Sequence, residues 1–156
     1  MWPPGGVAGL NLACAIAGAP GDGVLTATPG YPPFRTAPAY TGRVLQRVEM
    51  VLRDGRWQWD WDALEGACTP STRLLLLCSP HNPTGKVWRR EELETMAKLC
   101  EKHGVKVISD EIHMDMCWGE HRHTPWCDVA RGPWALFTSG SKSFNIPAFT
   151  GAYGLI

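Results

Sequence analysis

Lys142 is the residue whose surroundings in this sequence most clearly suggest chemistry. It lies in the segment FTSGSKSFN (137–145), among small and hydroxyl-bearing residues that directly follow a short apolar run. Such a lysine is either a solvated side chain near the start of a helix or an amine enclosed in a dry pocket. In the second case the amine loses its proton readily and can attack an aldehyde.

Further polar side chains follow the apolar segments that we predict to be buried strands. Polar or turn-forming residues come directly after the strands predicted at 24–28, 73–78, 105–108 and 133–137. In an open parallel sheet, ligands bind outside the carboxyl ends of the strands. We therefore expect one rim of the sheet to carry the following side chains: Tyr31, Asn82, Asp110, His113, Ser139, Ser141 and Lys142.

The chemistry of this set indicates which ligand it could hold. Asp110 follows a wholly apolar strand, so its carboxylate should be desolvated and should hold a protonated nitrogen strongly. The segment 139–141 offers hydroxyls and backbone N–H groups at a helix entrance, which suit a phosphate. Asn82 and His113 can donate to an oxygen atom, and Tyr31 offers a flat face for stacking. Together with an amine for an aldehyde, these groups fit pyridoxal 5′-phosphate.

Hydrophobic periodicity and turn signals predict an α/β fold with a mostly parallel sheet flanked by helices. The clearest unit is a strand at 73–78, a helix at 89–103 with Gly104 as its left-handed C-cap, and a strand at 105–108. Such a βαβ unit requires parallel strands that are covered on both faces. The other predicted elements are a helix over 11–19, strands over 24–28, 43–52, 133–137 and 149–156, a loop over 28–33, and a helical tendency over 57–67.

Composition argues against several classes of function. The 156 residues suit one domain, and 15 basic residues balance 15 acidic ones without a basic block, which disfavours nucleic-acid binding. The longest apolar stretch, LLLLC (74–78), is far too short to cross a membrane, and no signal peptide is visible. The six cysteines are scattered without a C-x-x-C motif, which favours reduced thiols in a cytoplasmic protein.

Three motifs resemble, in this order, those of the fold-type I pyridoxal-phosphate enzymes, the class I/II aminotransferase superfamily: SPHNPTG (79–85), ISDEIHMD (108–115) and SGSKSFN (139–145). The sequence is most similar to the MalY/PatB type of cystathionine β-lyase, because His113 stands where classical aminotransferases have tyrosine. The likeness extends from GGVAGL (5–10) to the end of the chain.

The resemblance implies a role for each residue of the set. Lys142 would form the Schiff base with the cofactor, and Asp110 would hold the ring nitrogen. Asn82 and His113 would bind the phenolic oxygen, and Tyr31 would stack on the ring. The phosphate would be held by Ser139, Ser141 and the backbone of Gly6 and Val7.

The resemblance also implies an activity, a carbon–sulfur β-lyase that releases a thiol, pyruvate and ammonia from a β-thioether amino acid. Aminotransfer is the alternative, because it uses the same cofactor machinery. A homodimer is implied, as is a second role in binding a transcriptional activator of maltose genes. Because family members are much longer, we expect residues 1–156 to be part of the cofactor-binding large domain, without the N-terminal segment and the C-terminal small domain. Classical aminotransferases have a phosphate-binding arginine a few residues after the lysine, where this chain has Thr150.

Plainer interpretations remain open for the principal residues: a solvated Lys142, a helix-capping Asp110, a turn at Asn82 and a structural His113. A cluster of histidines and cysteines near residue 120 lacks a standard zinc spacing, so we expect no metal site there. Its members are Cys117, His121, His123 and Cys127.

Overall fold

The computed structural model describes residues 3–148 and 151–156, whose strands form one seven-stranded sheet. The helices are α1 (Gly6–Ala17), α2 (Pro32–Tyr40), α3 (Trp61–Gly66), α4 (Arg90–His103) and α5 (Gly140–Ser143). The strands are β1 (Gly23–Thr28), β2 (Val44–Arg53), β3 (Arg56–Trp59), β4 (Thr72–Cys78), β5 (Lys106–Asp110), β6 (Trp134–Thr138) and β7 (Tyr153–Leu155), and a 3₁₀ turn covers Trp126–Asp128. Among these residues, no helix has the length and apolar character needed to cross a lipid bilayer.

The central strands run parallel, and both edge strands run antiparallel. The order across the sheet is β3-β2-β1-β4-β5-β6-β7. Strands β2, β1, β4, β5 and β6 pair in parallel, whereas β3 pairs antiparallel with β2 and β7 pairs antiparallel with β6. This topology confirms the mostly parallel α/β sheet predicted from the sequence. The carboxyl ends of β1, β4, β5 and β6 therefore meet at one edge of the sheet.

Strand β4 is buried along nearly its whole length because helices cover both faces of the sheet. Leu75 and Leu77 join the core on one face, together with α4 residues such as Met96. Leu74 and Leu76 join the core on the other face, where α1 packs. Alternate side chains of a strand point to opposite faces, so a strand covered twice needs apolar residues at every position. The coverage of β4 on both faces therefore explains its continuous apolar run in the sequence.

Helix α4 connects β4 to β5 and is fixed at both ends. Gly104 has φ 64° and ψ 27°, the left-handed C-cap predicted from the sequence. At the other end, the Glu92 carboxylate accepts a hydrogen bond from the Arg89 N–H at 2.8 Å and one from Lys86 Nζ at 2.7 Å. Glu92 therefore anchors the segment 79–89, which leads from β4 into α4.

Three elements differ from the sequence prediction. The helical tendency predicted over 57–67 is wrong for its first part, because β3 forms the second strand of a hairpin there. Helix α2 starts at Pro32, inside the predicted loop, since proline is well tolerated in the first turn of a helix. Helix α1 begins at Gly6, earlier than the predicted start at residue 11.

Candidate active site

A cavity of about 100 Å³ lies at the carboxyl ends of the central strands, beside the first turn of α1. Seven of the nine site residues predicted from the sequence line it, and two further residues complete the lining. The predicted residues are Gly6, Val7, Tyr31, Asn82, Asp110, His113 and Lys142, and the additional residues are Cys78 and Ile112. The parallel sheet thus gathers side chains from both ends of the chain around one space.

Asp110 is the last residue of β5 and is 7% exposed. Burial raises the pKa of its carboxyl group to about 6. The hydrogen bond that the Ile112 N–H donates to Oδ1 at 3.2 Å lowers this pKa, but by less than burial raises it. The charge of Glu111 adds to the increase in this pKa. A desolvated carboxylate of this kind favours a cationic partner inside the cavity.

Lys142 lies in α5, the single helical turn that follows β6. Ser143 Oγ donates a hydrogen bond to Asp115 Oδ2 at 2.6 Å, which ties this turn to the segment after β5. Lys142 lines the cavity, yet its side chain is exposed, so the structure does not have the dry pocket considered for it from the sequence. The reason is that α5 is short and lies at the surface of the described part of the chain.

His113 and Asn82 line the cavity from the segments that follow β5 and β4. Burial lowers the pKa of His113, and the positive charge of Lys142 lowers it further, so the imidazole is neutral at neutral pH. The backbone N–H of Asn82 donates to Cys78 Sγ at 3.4 Å, and that thiol donates to the Pro80 carbonyl at 3.2 Å. Cys78 therefore helps to shape the turn that carries Asn82.

Tyr31 precedes α2 and is 37% exposed. Its ring meets Phe34 edge to face, with 6.4 Å between the ring centroids and 74° between the ring planes. Phe34 is buried in the core beneath α2, so this contact holds the tyrosine ring beside the cavity.

The first turn of α1 gives the cavity a group of backbone N–H donors. Gly5 is the N-cap of this helix, and no side chain caps the turn. A Cβ atom added at Gly5 or Gly6 would meet nothing within 4 Å, so there is open space in front of the turn. The first N–H groups of a helix lack intrahelical partners and attract an anion. Gly6 and Val7 therefore lie where a phosphate could bind.

Ser139 and Ser141 do not line the cavity, unlike the other predicted residues. The Ser139 hydroxyl donates to the Gly151 carbonyl at 2.6 Å and accepts from the Ser141 N–H at 3.2 Å. Ser139 therefore acts as the N-cap of α5 and connects β6 to the segment before β7. Thr150, which stands near the position of the family's arginine, lies outside the described residues.

The sequence prediction missed three residues around the site. Cys78 and Ile112 line the cavity, but Cys78 was part of a predicted strand and Ile112 is an apolar residue after another, so neither gave a chemical signal. His81 is buried, and its Nε2 lies 2.9 Å from the Pro29 carbonyl oxygen. This contact joins the segment that carries Asn82 to the one that carries Tyr31, and only the folded chain reveals it.

A larger cavity of about 230 Å³ lies between α1 and strands β5 and β6. It is lined almost wholly by apolar side chains, including Leu12, Ile16 and Trp134, with Lys106 as its charged residue. The Nζ of Lys106 donates to the Ala17 carbonyl at 2.7 Å, so this amine is already used. The arrangement has no convergent polar groups for catalysis, whereas the smaller cavity has them.

The histidines and cysteines near residue 120 do not meet at one point. His123 Nε2 contacts Glu111 Oε2 at 2.7 Å, whereas His121 lies in a separate cleft beside the β2–β3 hairpin. Cys117 Sγ lies near the Met114 carbonyl at 3.6 Å.

Comparison with known proteins relates the entire chain to one family. Residues 1–156 match the family model described as aminotransferase class I and II. Protein MalY of Escherichia coli (strain K12) is 57% identical over 137 residues, which cover 87% of this chain and 35% of that protein. Cystathionine beta-lyase PatB of Bacillus subtilis (strain 168) is 39% identical over 149 residues, which cover 93% of this chain and 38% of that protein. The chain thus spans little more than a third of the length of these curated relatives.

Solved structures share the fold over the full chain. The pyridoxal-phosphate-bound C-S lyase from Staphylococcus hominis has a TM-score of 0.96 at 30% identity and covers 100% of this chain and 41% of its own. Cystalysin from Treponema denticola, which contains a pyridoxal 5′-phosphate cofactor, has a TM-score of 0.95 at 32% identity, with coverage of 100% and 41%.

Proposed function

This chain belongs to the aminotransferase class I and II family, and we propose that it is the cofactor-binding part of a pyridoxal 5′-phosphate-dependent carbon–sulfur β-lyase. One observation carries the proposal: an amine, a buried carboxylate and the free first turn of a helix surround the same cavity. PatB and the S. hominis protein, two of the similar proteins, are both named as lyases. The substrate would be a β-thioether amino acid, and the products would be a thiol, pyruvate and ammonia.

The donor set at the Asp110 end fits the pyridine ring of the cofactor. Among the described residues, the Ile112 N–H is the one hydrogen-bond donor to the Asp110 carboxylate, and no cation pairs with this group. A protonated ring nitrogen would supply the missing positive charge and would lower the raised pKa of Asp110. Asp110 would in turn keep the proton on that nitrogen.

The opposite end of the cofactor fits the first turn of α1. A phosphate needs several N–H donors in a concave space, and the backbone at Gly6 and Val7 offers these donors together with the positive end of a helix dipole. Ser139 and Ser141 would contribute indirectly, since their mutual hydrogen bond fixes the start of α5. The other predicted contacts, Asn82 and His113 to the phenolic oxygen and Tyr31 to the ring, lie on the same cavity.

Bound pyridoxal phosphate supplies an electron sink for the negative charge that develops at the α-carbon of an amino acid. The chain's own residues would do the rest. Lys142 Nζ would hold the cofactor covalently through its aldehyde and would serve as the base that moves the substrate's α-proton. His113, neutral because its pKa is lowered, can share a hydrogen bond with the phenolic oxygen without adding a charge beside Lys142.

The covalent role of Lys142 gives a direct test of the proposal. Wild-type protein mixed with pyridoxal phosphate should show a long-wavelength absorbance band, and borohydride followed by peptide mass spectrometry should locate the label on Lys142. Lys142→Ala should show neither the band nor pyruvate release from a β-thioether amino acid. Lys98→Ala, which removes an exposed lysine of α4, is the matched control and should behave as the wild type. A labelled Lys142→Ala protein would contradict the proposal.

Aminotransfer is the second candidate, because the matches include proteins named as aminotransferases. One pair of assays on the same preparation separates the two reactions. A lyase releases pyruvate from a β-thioether amino acid without a second substrate, whereas an aminotransferase forms a new amino acid only when a keto acid is added. Product formation that depends wholly on the keto acid would favour aminotransfer.

A further inference from the structure

Glu111 is a buried carboxylate directly behind the candidate site, and the proposed chemistry does not use it. It follows Asp110 in the chain and is 1% exposed. Its Oε1 accepts hydrogen bonds from Ser109 Oγ and from the Trp126 N–H, both at 2.8 Å. Its Oε2 lies 2.7 Å from His123 Nε2. Three donors, one from the end of β5 and two from the segment around residues 123–126, therefore meet on one carboxylate.

The backbone of Glu111 is held as firmly as its side chain. Its N–H donates to the Phe137 carbonyl at 2.7 Å, and its own carbonyl accepts from Thr138 Oγ1 at 3.2 Å. Both partners belong to β6, the strand that leads into α5 and Lys142. Glu111 thus connects the end of β5, the end of β6 and the segment around residues 123–126.

The position of Asp110 depends on this arrangement because of strand geometry. Successive side chains of a strand point to opposite faces, so Ser109 and Glu111 lie on one side of the chain and Asp110 lies on the other. The Ser109–Glu111 hydrogen bond spans the two neighbours of Asp110 and restrains the backbone on both sides of it. The direction of the Asp110 carboxylate follows from that backbone.

We infer that Glu111 is a positioning residue for the cofactor, whose buried carboxylate fixes the direction in which Asp110 meets the ring nitrogen. This inference rests on the proposed function. A role in packing alone would not need a carboxylate, because burying a charged group is costly unless hydrogen bonds compensate it. The negative charge of Glu111 also raises the pKa of Asp110. A negative group behind Asp110 therefore helps to keep a proton between Asp110 and the ring nitrogen.

The test compares two cofactors that differ at one atom. Dissociation constants are measured by absorbance for pyridoxal phosphate and for its 1-deaza analogue, in which C–H replaces the ring nitrogen. Glu111→Ala should weaken the binding of pyridoxal phosphate by about tenfold or more, since a hydrogen bond to a charged group is disturbed. The same variant should change the binding of the analogue by no more than about twofold, because the analogue has no nitrogen for Asp110.

Two more variants keep the test decisive if Glu111→Ala folds poorly. Glu111→Gln preserves the shape and an acceptor for the Trp126 N–H but removes the negative charge, and should recover part of the affinity for pyridoxal phosphate that Glu111→Ala loses. Ser109→Ala removes one hydrogen bond to the carboxylate and should show a weaker form of the same selective loss. Glu120→Gln changes an exposed glutamate in the following segment and is the control.

Each outcome has a distinct meaning. An equal loss for both cofactors in Glu111→Ala and Ser109→Ala would overturn the inference, because it would show a general effect on the fold. A Glu111→Gln protein that loses equal affinity for both cofactors would overturn it as well, since the loss would then not depend on the ring nitrogen. If the wild type attached neither cofactor to Lys142, the proposed function itself would fail, whereas attachment without selectivity would remove only the role of Glu111.

Discussion

Asp110 lies beside Cys78 in the register of β5 and β4, and both side chains line the candidate cavity. The in-register neighbour of the carboxylate is thus a thiol and not a cation. Burial raises the pKa of the Cys78 thiol to about 12, with a further contribution from the charge of Asp110. The cavity therefore contains two acidic groups whose pKa values are both raised above their ordinary values, and a positively charged ligand would lower both.

The first prediction concerns the pH dependence of folding in the cofactor-free protein. The pKa of Asp110 rises from 3.8 to about 6 on folding, so this residue favours the folded state only while it is protonated there. Relative to Asp110→Asn, the wild type should lose about 3 kcal/mol of unfolding free energy as the pH rises from about 4 to above 6. Urea unfolding of both proteins across this pH range measures the difference.

The control for this prediction is Asp54→Asn, which changes an exposed residue in the β2–β3 turn. Its unfolding free energy should change with pH in the same way as that of the wild type. A constant difference between the wild type and Asp110→Asn at all pH values would contradict the raised pKa of Asp110. Saturating pyridoxal phosphate should abolish the pH-dependent loss, because a protonated ring nitrogen keeps Asp110 ionised in the folded state.

The second prediction concerns the reactivity of the thiols. All six cysteines are free, but burial raises the pKa of Cys78 and of Cys100 to about 12, whereas Cys127 is exposed. Since the thiolate is the reactive form, iodoacetamide should label Cys78 at least about a hundredfold more slowly than Cys127 at neutral pH. Peptide mass spectrometry after timed labelling gives both rates. Equal rates would mean that the end of β4 opens readily to solvent.

The third prediction concerns the anchor of α4. Glu92 is 8% exposed and carries both the Lys86 ion pair and the hydrogen bond from the Arg89 N–H. Glu92→Ala should lower the unfolding free energy by about 3 kcal/mol, because it leaves a half-buried lysine unpaired and removes a helix cap. Glu91→Ala removes an exposed carboxylate from the same helical turn and should change the stability by less than about 0.5 kcal/mol.

Chemical denaturation of the wild type, Glu91→Ala and Glu92→Ala measures the three unfolding free energies. Similar midpoints for the two variants would contradict the prediction. Because the segment 79–89 carries Asn82 into the cavity, Glu92→Ala should also weaken cofactor binding while Glu91→Ala leaves it unchanged.

The parts of the site that the sequence predicts well are those set by local pattern. An apolar run followed by turn formers marks the end of a buried strand, and this rule placed Asn82, Asp110 and Lys142 on one rim. The hydroxyl of Ser139 shows the limit of the rule, since its partner at Gly151 lies twelve residues further along the chain and on the other side of α5. Only the folded chain reveals that this hydroxyl is already used.

The errors in the predicted helices and strands have a similar physical cause. Trp57 and Trp59 lie on β3, whose strand conformation comes from pairing with β2, while an adjacent helix starts only two residues after Trp59. Asp60 caps that helix by accepting from the Ala63 N–H at 3.0 Å. Local propensity could not separate the two elements because the aromatic residues and the helix formers overlap in one short segment.

The last prediction concerns the packing of β6, the strand that leads to Lys142. A Cβ atom at Gly154 would lie 2.8 Å from Cε1 of Phe137, closer than real Cβ contacts allow. The same edge of that ring already faces Gly9 of α1, where an added Cβ would lie 3.1 Å away, and Phe137 itself is 3% exposed. Gly154→Ala should therefore lower the unfolding free energy by about 1–3 kcal/mol through overpacking.

Gly66→Ala is the matched control, since a Cβ atom there meets nothing within 4 Å. That change should leave the stability equal or raise it by up to about 1 kcal/mol, because alanine favours a helix. Phe137→Leu should relieve the clash, so the double variant with Gly154→Ala should lose less stability than the sum of the two single changes. Strict additivity would mean that the ring and the new methyl group do not meet. Because Phe137 also accepts the hydrogen bond from the Glu111 N–H, a displaced ring should move the end of β6 and weaken cofactor binding together with the fold.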